Sequence, residues 1–260
     1  MNRISSVQRL GLAARRVSTL RALAQLHLHL RARGGRLTAE VHPTASIGSL
    51  SVTKVDGPHA PNLTLRLGEW ARLGSNLAIE LNRTIDRANE LVVEDHAWVR
   101  DGLWLRLDGG RGHVGRRAWI GAHSSLHVPG GLIALGEHAV VGLGCQIHAV
   151  ASVEVGPWAA LGHDVTVVDS DHVADGSSRW FLEQGSVTAP IIIGANTVVS
   201  AGARITRGAR IGANSMVGAN AVVRSGTYED SILLAGAPAN PLRSLVDRPI
   251  AAAAPPIFPA

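Results

Sequence analysis

The chain has 260 residues, of which 29 are Gly, 3% aromatic and 17% charged. So few large rings exclude an ordinary aromatic-filled interior, and the remaining Val, Ile, Leu and Ala suit a stack of thin layers. The formal net charge is +5 and Lys54 is the sole lysine; the arginines are scattered with no aromatics interleaved to stack bases, which argues against nucleic-acid binding and leaves either an Arg-rich composition or attraction for a phosphate-bearing cofactor.

The N-terminal segment, residues 1–36, reads as helical over 7–31. Leu10, Ala13, Val17, Leu20, Ala24 and Leu28 recur at three- and four-residue steps among Arg15, Arg16, Arg21 and Arg31, the mark of an amphipathic helix. Gly34 and Gly35 then stop it. Such a helix packs on the next domain or caps its first coil; the alternative is a basic helix resting weakly on an anionic membrane surface. Arg residues interrupt the segment and no small-residue cleavage site follows, so no signal peptide is expected. No stretch of about 18 uncharged apolar residues suggests a membrane span. With Cys145 alone, neither a disulfide framework nor a cysteine zinc cluster is available, and a reducing cytoplasm is the expected location.

From residue 37 to 245 the period changes to six. Ile193, Val199, Ile205, Ile211, Val217 and Val223 follow one another at six-residue steps, each with a small residue four places on: Thr197, Ala203, Ala209, Ser215, Ala221 and Thr227. Gly194, Gly212 and Gly218 directly follow their aliphatic residue. The same unit runs backwards in sets of three: Val155, Leu161 and Val167; Leu135, Val141 and Ile147; Val114, Ile120 and Leu126; Val93, Val99 and Leu105; Leu67, Leu73 and Ile79. A strand alternates faces every two residues, so a six-residue unit needs a bend, and three units close one triangular turn. The aliphatic residue points inward, the small residue fits the corner, and Gly is expected to supply the turn's unusual backbone angles. This is an all-β parallel β-helix, quasi-one-dimensional and needing caps at both ends. The segment Tyr228 to Arg243 is the expected second cap.

The hexads stop between Val167 and Ile193, and residues 169–190 form an excursion loop containing His172, Trp180 and Phe181. Long excursions from a compact scaffold carry function more often than architecture. Residues 246–260 read as a Pro/Ala-rich tail.

The stretches LGHDVTVVDSDHVAD, QGSVTAPIIIGANTVVSAGARITRGARIGANSMVGANAVV and AGAPANPLR resemble the hexapeptide-repeat acyltransferases, in particular the galactoside and maltose O-acetyltransferases and polysaccharide-modifying relatives. The resemblance implies a left-handed β-helix, a homotrimer with sites between adjacent helices, and acetyl transfer from acetyl-CoA to a hydroxyl of a sugar-like acceptor. It implies His172 as general base, in a pattern matched by Val165, His172 and Asp175, and places Ala201, Ala219, Arg224 and Arg243 at cofactor-binding positions. A neutral imidazole can take the proton of a sugar hydroxyl as the oxygen attacks a thioester; Asp169, Asp171 and Asp175 are each near enough in sequence to orient it. No metal is expected. The departures from the family are Val198 where it has Trp, Asn240 where a basic residue is common, and Gly142 or Gly144 where sugar acetyltransferases place an acceptor-binding Asn. The other readings are N-acetylation of an amino sugar, a non-catalytic β-helix with His172 a solvated loop residue, and a γ-carbonic-anhydrase-like zinc site using His148 and His163, for which the expected third ligand position holds Val168.

Overall fold

A computed structural model describes residues 6–54, 61–81 and 89–245, excluding the side chains of 6–12, 53 and 54. From Leu37 the chain winds into a three-sided helix of short parallel strands. One coil is Leu63–Leu67, Arg72–Leu73 and Leu77–Leu81; we call the sheets holding these strands the first, second and third faces. The three sheets contain nine, ten and eight strands among the described residues. Registers follow the six-residue period: Leu67 pairs with Val93, Leu73 with Val99 and Ile79 with Leu105. The inward aliphatic columns are buried from Ile47 to Val223, each such side chain contributing about 1.5–3 kcal/mol of burial free energy. A coil missing from the sequence reading precedes them: Val41, Ile47 and Val52 stack on Leu67, Leu73 and Ile79.

The small positions lie at the corners, with Ala97, Ala118, Ala139 and Ala159 buried beneath Thr197 and Ser215. Thr197 Oγ1 donates to Gly212 O at 2.8 Å and accepts from Ser215 N at 3.2 Å, and Ser215 Oγ accepts from Ile232 N at 3.2 Å, so backbone groups of the next coil satisfy the polar members of this column. Gly102, Gly144 and Gly202 (φ 68 to 73) supply left-handed turn angles as expected, at the corner between the second and third faces, but the glycines that directly follow an inward aliphatic residue serve a different purpose. Gly162 and Gly194 are not at positive φ; a Cβ on Gly162 would lie 2.7 Å from Ala201 N, and on Gly194 2.5 Å from Ala213 N. They permit close approach of successive coils. At the corner between the first and second faces the left-handed angles fall instead on His96, Trp158, Asn196 and Asn214 (φ 54 to 60).

The helix Ser6–Arg31 closes the N-terminal end. Gly34, at φ 73, and Gly35 terminate it, Gly35 N donating to Leu30 O at 2.9 Å. Ser18 Oγ donates to Ile47 O at 2.6 Å, and Ile47 N to Thr19 Oγ1 at 3.0 Å. The face it buries is Thr19, Ala22, Leu26 and Leu30. The stripe noted in the sequence is the other one: Ala13, Val17, Leu20, Ala24 and Leu28 are exposed. At the far end Ile232–Gly236 continues the second face in parallel, and Ala239–Ser244 folds back antiparallel on it as an edge. The tail read over 246–260 lies outside the described residues.

Candidate active site

The excursion leaves the corner between the third and first faces, after Thr166–Val168, and rejoins the first face at Ile191–Ile193. Its base is an antiparallel pair, Ser170–His172 with Ser186–Thr188, in which His172 is opposite Ser186. A 3-10 turn, Phe181–Glu183, forms the outer part and buries no residue. Both strands of this hairpin are largely exposed, His172 included, and its imidazole makes no hydrogen bond among the described residues.

The three carboxylates considered as its orienting partner are engaged elsewhere. Asp169 is buried and accepts from Val150 N and Ala151 N at 2.8 and 2.7 Å, which anchors the root of the excursion to the coil below. Asp171 Oδ2 accepts from Arg207 Nε at 2.8 Å. Asp175 pairs with Arg179 and accepts from Ser177 N, and hydrogen bonds from Ser177 and Arg179 hold its carboxyl below the usual range.

Of the four cofactor positions, Ala201 and Ala219 share the corner between the second and third faces, both exposed and one coil apart, with Asn220 N donating to Ala201 O at 3.0 Å. Arg224 lies at the opposite edge of the third face, the edge that carries the excursion; its carbonyl accepts from Tyr228 Oη at 3.1 Å. Arg243 is exposed on the antiparallel edge strand of the second face, opposite Leu233. One chain therefore groups His172 with Arg224, and Ala201 with Ala219, on two different edges.

His148 and His163, considered as zinc ligands, also fall on opposite edges of the third face, and His163 Nδ1 already accepts from Leu143 N at 2.9 Å. Among the described residues no group of three or more His, Cys, Asp or Glu side chains is placed to hold a metal ion. The sequence reading missed a second polar group on this face. Arg106, His127 and His148 fall in one outward column, flanked by Trp104 and the nearly buried Asp108. The spacing of His127 and His148, one coil apart, was the available signal.

Several known proteins share features with this chain. Residues 208–228 match the model for the hexapeptide repeat of succinyl-transferase. Comparison with curated protein sequences returns no match. Among solved structures, the polySia specific acetyltransferase is 16% identical over 83% of this chain and 91% of its own, with a TM-score of 0.51. A polysialic acid O-acetyltransferase is 17% identical over 82% of this chain and 89% of its own, also at 0.51. A maltose O-acetyltransferase from Clostridium difficile 630 is 23% identical over 52% of this chain and 70% of its own, at 0.47. Six-residue units on three parallel faces, the repeat match over residues 208–228 and the two likenesses at a TM-score of 0.51 show that the chain has the left-handed parallel β-helix fold built of hexapeptide repeats.

Proposed function

We propose that the chain is an acyltransferase that moves an acetyl group from acetyl-CoA to a hydroxyl of a sugar or polysaccharide precursor, with His172 as general base. The observation that carries this reading is the placement of His172 on an arm that the β-helix does not need for its core, with its imidazole exposed and without a hydrogen bond among the described residues. A neutral imidazole there can accept the hydroxyl proton as the oxygen attacks the thioester carbon. The tetrahedral intermediate then collapses, the CoA thiolate leaves, and the imidazolium returns the proton to sulfur. Small corner residues Ala201 and Ala219 would let the pantetheine arm lie flat, and the guanidinium groups of Arg224 and Arg243 suit its phosphates.

The split of these residues between two edges favours a site built by adjacent copies, and a homotrimer is part of the proposal. Trp180, Phe181 and Leu182 on the arm are 79%, 67% and 84% exposed in the single chain, as expected of groups that pack on a neighbour. The outward residues Val198 and Met216 of the second face are also exposed and apolar. The free, buried Cys145 fits a reducing cytoplasm. No described helix is long and apolar enough to cross a membrane. The outer helix stripe, with Leu20 and Leu28 exposed and no acidic residue between Ser6 and Arg31, supports peripheral contact with an anionic membrane surface.

The test is acetyl-CoA turnover against a panel of sugars, nucleotide sugars and polysialic acid, two of the compared structures being named for acetyltransferases acting on the last. His172→Ala is expected to retain CoA affinity and to lose roughly a hundred- to ten-thousand-fold in turnover. An unchanged rate removes His172 from the mechanism.

A further inference from the structure

The outward column of the third face that ends at the excursion is built differently from its neighbours. Arg106, His127 and His148 occupy equivalent positions on three successive coils, above Glu80 on the coil before, whereas the next two hold Val168 and Thr206. The two imidazoles stack at 4.4 Å between centroids with 9° between planes, and the Trp104 ring stands 6.0 Å from His127, tilted by 57°. Asp108, its side chain 9% exposed, accepts from Arg106 Nε at 3.0 Å and lies 3.5 Å from His127 Nε2. Burial alone would raise its pKa, but the His127 hydrogen bond and the Arg106 charge outweigh it and keep the carboxyl ionised. Asp108 thus fixes the direction of two cationic or donor groups while being nearly hidden itself.

One feature of the column remains unused by the coil. Among the described residues Arg106 spends only Nε on Asp108, so the outer edge of its guanidinium fork retains its donors. His148 Nε2 is enclosed, so this ring serves as the floor on which His127 stacks. The column also reaches the proposed reaction centre, because Asp169 N, at the root of the arm bearing His172, donates to His148 O at 3.3 Å.

We infer that Trp104, Arg106 and His127, with His148 as the ring beneath His127, form a subsite for an acidic sugar residue of the acceptor. The ring of Trp104 offers a flat apolar wall to the sugar. Arg106 and His127 face its carboxylate. The word acceptor rests on the acyltransferase reading; the subsite itself does not.

The test is calorimetric binding to the full chain, without CoA, of a hexuronic acid oligosaccharide, an oligosialic acid and their carboxyl-reduced counterparts. At least one acidic ligand is expected to bind ten-fold or more tightly than its reduced form. Arg106→Gln is expected to abolish that preference, Trp104→Ala to weaken both forms, and Glu154→Gln, on the first face, to change neither. In the unsubstituted protein the same ligand is expected to shift the imidazole resonances of His127 and His148, a readout that needs no variant to fold. Equal affinity for acidic and reduced ligands, binding indifferent to Arg106→Gln, unmoved imidazole resonances, or no binding of either ligand would each overturn the subsite. Acetyl transfer that persists alongside such a result leaves the acyltransferase reading standing. Acid-selective binding without any acyl transfer sinks that reading and keeps the subsite.

Discussion

The corner between the third and first faces is made in two contrasting ways. After Ser125–Val128 the chain turns through Pro129, Gly130 and Gly131 and at once resumes the first face at Leu132–Leu135. Gly130 adopts φ 78, and a Cβ on Gly131 would lie 2.5 Å from Ala149 O, so the coil above leaves no room for a side chain at Gly131. After Val168 the chain instead spends residues 169–190 before reaching the same column at Ile191. That longer corner is held by a three-pair hairpin, by Asp169 on the coil below and by the Asp171–Arg207 pair, while its aromatic tip stays in solvent. The short corner is dictated by stacking; the long one adds little to the core, and rule-breaking of this kind in a repeat concentrates at functional sites.

Substitutions in the two regions should therefore separate stability from activity. Ile147→Ala in an inward column is expected to cost about 2–5 kcal/mol in denaturant unfolding, because the stacked coils cannot collapse into the space. The double change Trp180→Ala and Phe181→Ala is expected to leave monomer stability almost untouched while shifting the assembly toward smaller species in sedimentation. A similar stability loss from both would place the arm within the core. Arg243→Ala, at the far end, is expected to raise KM for acetyl-CoA roughly ten-fold with little change in kcat, the loss of a charged hydrogen bond being worth about 1.5–3 kcal/mol; an unchanged KM would remove Arg243 from the cofactor site.

The smallest effect is acid sensitivity. Burial pushes His138 and His148 below the ordinary imidazole value of 6.5, so the unfolded chain binds protons that the folded chain refuses. Stability is therefore full above 6.5 and declines as pH falls through that value toward the lower folded values. His148→Gln and His138→Gln should each flatten this decline in unfolding measured from pH 7.5 to 5.5. A slope unaffected by either change contradicts the burial of these rings.

The repeat was legible because inward position and six-residue period coincide at Ile193 to Val223. Other features depended on contacts between distant residues. The helix carries apolar residues on two opposite faces, and docking against Ile47 selects Ala22, Leu26 and Leu30 over Leu20 and Leu28. The hexad glycines looked like turn residues because the crowding at Gly162 comes from Ala201, beyond the excursion. His172 could be singled out by its motif, yet its lack of an orienting carboxylate emerged only when Asp169, Asp171 and Asp175 were seen bonded elsewhere. The Trp104–His148 group was obscured because its members lie in separate coils and adjoin only once the coils stack.

The central claim, that the arm of one copy works against the coil corner of another, is tested most directly by mixing defects. Chains carrying His172→Ala and chains carrying Ala219→Trp are each expected to be inactive alone, the first for want of a base and the second because the indole covers the exposed corner. Assemblies co-expressed from both should recover acetyl transfer, since some sites then pair an intact His172 with an intact Ala219 corner from a different chain. Mixed assemblies no more active than either parent would contradict the account.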